Sequence, residues 1–327
     1  MASNAPVTKT SLSGESIFEQ IACPLCQNRK FKTVYEESYP AGLSTDDFLK
    51  LYSSSSDAKL MERLVECREC GLAFLNPRLK REIVLRSYSE AVDPAFVSQN
   101  ETRIATFRRA LGAILEAAKI KPSRSVRVLD IGCAGGAFPK AVVDSGMTAV
   151  GVEPSRWLCD YGKRTYGLDL LPGTLDDQAF PAKSFDLITL WDVIEHVHDP
   201  VALLRKCRGL LKDDGVLVLN YPDYGSPVTK LLGRRWPFFL SVHLFYFTPA
   251  TIKSALNLAG LHEFRFRMHW QTLTLAYVLQ RAGNYLPFLP LPAKWIGTSP
   301  LAGLPVTYYL GQTTVFARAN GIHSAAG

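Results

Sequence analysis

Residues 126–138 read Val126-Arg127-Val128-Leu129-Asp130-Ile131-Gly132-Cys133-Ala134-Gly135-Gly136-Ala137-Phe138. A β-branched apolar run that ends in an acid, a glycine-rich turn and then an apolar-periodic stretch predict strand, tight turn and helix in that order. The same alternation continues outward. Strands are expected over 126–131, 148–153, 184–191 and 215–221, with helices over 137–145, 155–166 and 201–211. Regular alternation of this kind predicts an α/β fold, a doubly wound, Rossmann-like parallel sheet with helices on both faces. Upstream, Ile104, Phe107, Leu111, Ile114 and Leu115 recur at spacings of three and four, which predicts an amphipathic helix over 101–119 that ends before Pro122 and Ser123. Downstream, Thr248-Pro249 opens a helix to Ala259, 261–269 and 312–318 read as strands, and a proline-rich insert over 281–310 separates them.

Doubly wound sheets bind ligands outside the carboxyl ends of their strands, so the turn after Asp130 is a candidate site. A dinucleotide fingerprint would need glycine where Ala134 and Ala137 stand, and Asp130 would repel a pyrophosphate. A ligand that carries its own ammonium and sulfonium favours that acid instead, and S-adenosylmethionine is such a ligand. Glu153 follows Asp130 by 23 residues, the position at which a carboxylate accepts from both ribose hydroxyls.

On these residues the chain resembles the class I S-adenosylmethionine-dependent methyltransferases over roughly 100–270. Val128 to Phe138 is similar to the family's first motif, with Ala134 in place of its middle glycine. Gly151-Val-Glu-Pro-Ser155, Gly173-Thr-Leu-Asp176, Ser184 to His196 and Leu211 to Leu217 are similar to its later ones. The resemblance implies a cofactor site built from Asp130, Gly132, Cys133, Gly136, Glu153, Pro154, Thr174, Leu175, Asp176, Trp191 and Asp192. The extra methyl of Ala134 is small enough to leave cofactor binding intact.

Methyl transfer from a sulfonium is an in-line displacement in which alignment supplies much of the rate. A hydroxyl acceptor also needs a base, and His196 and His243 are the histidines that chain order places on the cofactor rim. Each is alternatively a hydrogen-bonded structural residue. Asp192, Glu195, His196 and His243 are also similar to the divalent-metal sites of ubiquinone-pathway O-methyltransferases and small-RNA terminal methyltransferases, which would make magnesium a second ion; Asp192 departs from the longer Glu of that pattern. Arg234-Arg235-Trp236 either clamps a phosphate while Trp236 packs on a ring, or covers apolar surface.

Seven cysteines include Cys23-Pro-Leu-Cys26 and Cys67-Arg-Glu-Cys70. Two C-x-x-C knuckles supply four thiolates for a tetrahedral zinc, and the forty intervening residues require only a hairpin excursion. Unrelated free thiols, or a redox pair, are the weaker alternatives. Cys133, Cys159 and Cys207 read as small buried apolar residues. With these pairs in front and His243 to Thr248 behind, the chain resembles the bacterial methyltransferase branch with an N-terminal zinc ribbon, associated with surface-polysaccharide and natural-product pathways.

Length and composition fit this plan. A chain of 327 residues, 47% of them apolar, is ample for two domains with buried cores. The expected organisation is a disordered leader over 1–16, a zinc ribbon over 17–87, a helical linker or cap over 88–122, and a cofactor-binding domain over 123–327 with substrate inserts at 222–247 and 271–310. The polar start lacks a signal-peptide core, so a cytoplasmic protein is expected. The net charge is +7, and residues 224–327 carry nine Lys or Arg against the single acid Glu263. The last third therefore either faces an anionic partner or is an ordinary solvated surface. The prolines and aromatics of 284–310 suit a substrate lid or a loop in transient contact with a membrane surface, and not a spanning helix.

The leading functional expectation is a methyltransferase of a small molecule, a sugar or related metabolite, in which O-methylation is favoured. An RNA methyltransferase is the first rival, although 1–90 lacks a dense basic and aromatic pattern. A zinc-stabilised module that holds the cofactor without turnover is the second, and the intact acids at 130 and 153 argue against it.

Overall fold

A computed structural model describes residues 17–40, 52, 58–283 and 299–318. The expected leader and residues 284–298 of the insert lie outside them.

The N-terminal unit holds β1 (Phe18–Glu19), β2 (Phe31–Tyr35), β3 (Leu64–Cys67), β4 (Ala73–Leu75) and β5 (Arg78–Leu79). Three helices follow: α1 (Arg81–Ser89), α2 (Pro94–Val97) and α3 (Asn100–Ala118). The alternating region then runs β6 (Arg127–Ile131), α4 (Ala137–Asp144), β7 (Thr148–Glu153), α5 (Arg156–Tyr166), β8 (Asp169–Pro172), β9 (Phe185–Trp191), α6 (Pro200–Leu210) and β10 (Leu211–Pro222). It continues through α7 (Pro227–Leu232), β11 (Phe245–Tyr246), α8 (Pro249–Leu258), β12 (His262–Met268), β13 (Gln271–Thr274), α9 (Leu275–Gly283), β14 (Pro305–Tyr308) and β15 (Gln312–Arg318).

Seven strands form the central sheet in the order β12-β15-β10-β9-β6-β7-β8. The pairs β10–β9, β9–β6, β6–β7 and β7–β8 are parallel. The sheet is not parallel throughout, as expected from the alternation, because β15 inserts antiparallel between β10 and β12. Leu129, Leu187, Ile188, Leu190, Leu217 and Leu219 are fully buried, each contributing about 1.5–3 kcal/mol of apolar transfer. Helix starts follow local chemistry: Ser155 Oγ accepts from Leu158 N–H, and Asp199 caps a helix whose first residue is Pro200.

β11, from far along the chain, joins the N-terminal strands in the order β11-β4-β3-β2. One apolar cluster runs from Leu64, Phe74 and Leu75 through Phe245 and Phe247 to Ile194 and Leu219. Arg78 ties the units further, donating to Glu19 Oε1 at 2.8 Å and to the carbonyl of His198 at 2.8 Å. The N-terminal unit is thereby fixed over the carboxyl edge of the sheet. Among the described residues, no helix is long and apolar enough to cross a membrane.

Candidate active site

The turn after β6 packs against the end of β7. Gly132 N–H donates to the carbonyl of Val152 at 2.8 Å and Cys133 N–H to the same oxygen at 3.2 Å. Gly132 has φ +68°, and a Cβ there would stand 2.4 Å from Val193 Cγ2, so only glycine fits. Ala134, the departure from the family motif, also takes a left-handed φ of +46°. Its N–H donates to Glu153 Oε2 at 3.0 Å, and Ser155 N–H donates to Oε1 at 2.9 Å. Burial pushes Glu153 up to about 7 despite those two donors. Asp130 accepts from Thr189 Oγ1 at 2.6 Å, and burial pushes it up to about 8. A cation, or hydroxyl donors, would favour the ionised form of each acid.

A cavity of about 910 Å³ opens along this edge, large enough for a cofactor and a small acceptor together. Gly132, Glu153, Pro154, Thr174, Leu175, Asp176, Trp191 and Asp192 line it. Asp130, Cys133 and Gly132 line a smaller chamber of about 100 Å³ beside it. Gly136 lines neither: at φ +83° it caps α4, and a Cβ there would meet Leu168 Cδ1 at 2.5 Å. Its place is in packing the turn. The Asp176 carboxylate is held by Arg81 at 2.7 Å and by Lys206, which keep it below the usual carboxylate range.

His196 faces the cavity, with its Nδ1 2.8 Å from Tyr88 Oη and 3.0 Å from the carbonyl of Val242. A carbonyl only accepts, so Nδ1 carries the proton and Nε2 keeps its lone pair. Burial lowers this imidazole to about 4, leaving it neutral at pH 7. His243 was expected on the cofactor rim and is not there. It is buried, 4% exposed, with its ring centroid 4.7 Å from that of His196, because the Phe238 and Tyr246 rings pack against it. Its Nδ1 donates to the carbonyl of Phe238 at 2.8 Å.

Donor atoms of Glu195, His196 and His243 lie within 4.8 Å of one another. Both carboxyl oxygens of Glu195 are buried without a hydrogen-bond partner, and burial raises that acid well above its ordinary value. Two imidazoles with free Nε2 lone pairs beside an unsatisfied carboxyl fit a divalent ion. Asp192, expected as the fourth member, stands outside this set. It has φ +55°, and its carboxylate accepts from Asn220 at 2.6 Å and Gln312 at 2.8 Å.

The four knuckle cysteines converge. Cys23 Sγ lies 3.4 Å from Cys70 Sγ, Cys26 Sγ lies 3.5 Å from Cys67 Sγ, and all four lie within 4.8 Å of one another. Zinc–sulfur bonds of about 2.3 Å at tetrahedral angles separate sulfurs by roughly 3.7 Å, so this donor set fits the ion. Burial raises the Cys67 thiol, but backbone N–H groups of Cys70 and Glu69 outweigh it and bring it down to about 7. Ala22, Pro24 and Gln27 of the first knuckle also form a wall of the large cavity.

The expected acceptor clamp of Arg234, Arg235 and Trp236 is not at the cavity. Trp236 is 1% exposed and donates from Nε1 to the carbonyl of Leu310 at 2.8 Å, while Arg234 sits over the Tyr35 ring at 4.5 Å. Trp236 is a core residue because Phe238 and Phe239 surround it. The cations on the cavity wall are instead Arg29, Arg78, Arg81, Arg103 and Lys206. Tyr88 and Arg103 were not singled out in the sequence. Arg103 lies one residue from Ile104 on the amphipathic helix, a position that reads only as solvent-facing. Cys133, Cys159 and Cys207 are buried, as small apolar residues would be.

Comparison with known proteins matches residues 96–262 to the family described as "Methyltransferase domain". The ubiquinone biosynthesis O-methyltransferase of Actinobacillus pleuropneumoniae serotype 5b (strain L20) is 33% identical over 104 residues, 29% of this chain and 44% of that protein. The enzyme of the same name from Cereibacter sphaeroides (strain ATCC 17025) is 34% identical over 141 residues, 40% of this chain and 54% of that protein. The chain thus spans about half the length of the curated relatives it matches. The YcgJ protein of Bacillus subtilis is similar at 19% identity and a TM-score of 0.47, over 64% of this chain and 97% of that one. With more than half of its residues inside the matched domain, the chain belongs to the methyltransferase-domain family.

Proposed function

We propose that the protein is an S-adenosylmethionine-dependent methyltransferase of a small molecule, a sugar or related biosynthetic intermediate, that methylates a hydroxyl. The observation that carries this reading is the Glu153 carboxylate, held by the N–H groups of Ala134 and Ser155 at the mouth of a cavity that His196 also lines. Glu153 would accept from the ribose hydroxyls, Asp130 would face the ammonium end, and Thr174 to Asp176 and Pro154 would border the adenine. His196 would take the hydroxyl proton at Nε2 as the oxygen attacks the methyl group, with alignment supplying most of the remaining rate. Two curated relatives carry O-methyltransferase names, which favours oxygen as the acceptor atom.

The N-terminal unit is, on this reading, a zinc ribbon. Cys23, Cys26, Cys67 and Cys70 would hold the ion, which supplies no chemistry but fixes the knuckle forming one cavity wall. Arg29, Arg81 and Lys206 line the cavity, the last two paired with Asp176, and suit an anionic acceptor better than Arg234 and Arg235, which do not line it. Gln271, Thr272 and Leu273 of β13 line the smaller chamber, which favours a lid over a membrane-touching loop for the described part of the insert.

A second reading concerns Glu195, His196 and His243. The unpartnered oxygens of Glu195 favour a divalent ion held by these three residues, one that would orient an acceptor hydroxyl and lower its pKa. Imidazole donors suit a transition ion better than magnesium.

The test is incubation of the protein with cell extract and cofactor labelled in its methyl group, with and without nuclease. Label is expected in a low-molecular-weight product that nuclease does not alter. Label that appears in RNA and vanishes with nuclease would contradict the small-molecule reading.

A further inference from the structure

Directly after β9 the chain turns left-handed at Asp192, φ +55°, a conformation that a residue other than glycine keeps where its surroundings hold it. Hydrogen bonds supply that hold. Asp192 N–H donates to the Asn220 carbonyl at 3.2 Å, and Asp192 Oδ1 accepts from the side-chain amides of Asn220 at 2.6 Å and Gln312 at 2.8 Å. Both amides belong to buried residues. Asn220 Oδ1 accepts in turn from Thr314 Oγ1 at 3.1 Å, and Thr314 stands opposite Asn220 in the β10–β15 pairing. The single hydrogen of the Thr314 hydroxyl is committed to Asn220, so its oxygen can only accept from His269 Nδ1, 3.3 Å away. A directed chain results, from His269 through Thr314 and Asn220 to Asp192, with Gln312 as a second donor to the carboxylate.

Gln312 and Thr314 lie on β15, and His269 between β12 and β13, all beyond the matched residues 96–262. The antiparallel insertion of β15 beside β10 is what brings them to Asp192. Burying an amide costs free energy unless a hydrogen bond offsets it, and here two buried amides are aimed at one oxygen of one carboxylate. The other oxygen, Oδ2, accepts from no donor among the described residues, while Asp192 lines both the large cavity and the smaller chamber. A fixed, charged acceptor is thus open at their junction.

On the cofactor reading, Asp130 and Glu153 already answer the ammonium and the ribose hydroxyls. Asp192 is a third acid, lining the same cavity as His196. We propose that Asp192 anchors the methyl acceptor, its Oδ2 taking a hydrogen bond from a second hydroxyl of that molecule, and that Gln312, Asn220, Thr314 and His269 are positioning residues that aim the carboxylate. The acceptor class is then a polyhydroxylated molecule, with one hydroxyl for the base and another for Asp192. A molecule with one hydroxyl would leave the carboxylate desolvated and unpaired. The proposal rests on the methyltransferase reading and deepens it. In the transfer, the reacting hydroxyl gives its proton to His196, the O–CH3 bond forms as the C–S bond breaks with its electron pair passing to sulfur, and Asp192 stays ionised throughout.

Asp192→Asn is nearly isosteric: its amide oxygen can still accept from Asn220 and Gln312, and the open acceptor becomes a donor. The full-length variant is titrated calorimetrically with S-adenosylmethionine, which carries the sulfonium charge, and with S-adenosylhomocysteine, which does not. Affinity for each should stay within about twofold of wild type, since the lost contact is not to the cofactor. Transfer of methyl label to the low-molecular-weight fraction of cell extract is then followed at increasing amounts of that fraction. Asp192→Asn should raise the half-saturating amount by about tenfold or more, the worth of a charge-assisted hydrogen bond. Gln312→Ala should raise it a few-fold with maximal rate and cofactor affinity kept, a split that general loss of structure would not give. Weakened binding of S-adenosylmethionine alone would assign Asp192 to the sulfonium, and equal weakening of both cofactors would make its role structural; either result overturns the proposal. So would unchanged half-saturation in Asp192→Asn. Wild type that binds neither cofactor would refute the methyltransferase reading itself, and this assignment with it.

Discussion

Ala134 and Glu153, nineteen residues apart, are joined by a hydrogen bond of 3.0 Å from the Ala134 N–H to Oε2. The bond locks the turn after β6 onto the end of β7, so Glu153, proposed to accept from the ribose hydroxyls, is held by the same loop that carries the methyl departing from the family glycine. Glu153→Ala is expected to weaken cofactor binding about tenfold or more, because it deletes a charge-assisted acceptor. Glu153→Gln keeps the shape and should lose less. Calorimetric titration of both variants checks the order; equal affinity of Glu153→Ala and wild type would contradict the role.

Proton release on binding is the next expectation. Burial holds Asp130 at about 8 and Glu153 at about 7, both above the ordinary carboxyl value. The folded state therefore binds more protons than the unfolded one between those pH values and the ordinary carboxyl range, and stability of the free protein falls as pH rises through that window. A cofactor that supplies a cation to one acid and hydroxyl donors to the other favours both ionised forms. Binding at pH 6 should release protons and binding at pH 9 almost none. Titrations in two buffers of different ionisation enthalpy measure this directly, and buffer-independent heats at pH 6 would contradict it.

Much of this arrangement was legible in the sequence. The boundaries of β6, β7, β9, α4, α5 and α6 fall within one residue of those expected, because apolar periodicity and the capping residues Ser155 and Asp199 act locally. β8 was missed: Asp169-Leu170-Leu171-Pro172 is too short to show a period. The antiparallel insertion of β15 was invisible, since its pairing of Leu219 with Val315 joins residues far apart in the chain. The same limit explains Trp236, whose burial depends on neighbours outside its own motif, and His243, whose rim position was inferred from chain order alone. Arg103 stands on the cavity wall, over the Phe96 ring, only because the fold turns that face of α3 toward the site.

Zinc is expected at one equivalent in protein purified without chelator. Cys67→Ser should lose the ion and lower the melting temperature, since thiolate ligation contributes to folding outright. Elemental analysis and thermal denaturation check both. Less than half an equivalent in wild type, or full zinc content in Cys67→Ser, would contradict the ribbon.

His196→Ala is expected to lower turnover by about 10² to 10⁴ with cofactor affinity nearly unchanged, the range for loss of a general base. His243, buried against it and not part of the cavity lining, is expected to act only through His196, so the double variant should lose no more than His196→Ala alone. If the three-residue metal reading holds, activity falls on treatment with EDTA and returns with a transition ion. Near-normal turnover in His196→Ala would remove the base from the mechanism.

The most direct test of the central claim is titration of the full-length protein with S-adenosylhomocysteine, the demethylated cofactor, and separately with NAD. Saturable one-to-one binding of S-adenosylhomocysteine is expected, abolished or strongly weakened in Glu153→Ala, with no comparable binding of NAD, whose pyrophosphate would meet Asp130. Tighter binding of NAD than of S-adenosylhomocysteine would contradict it.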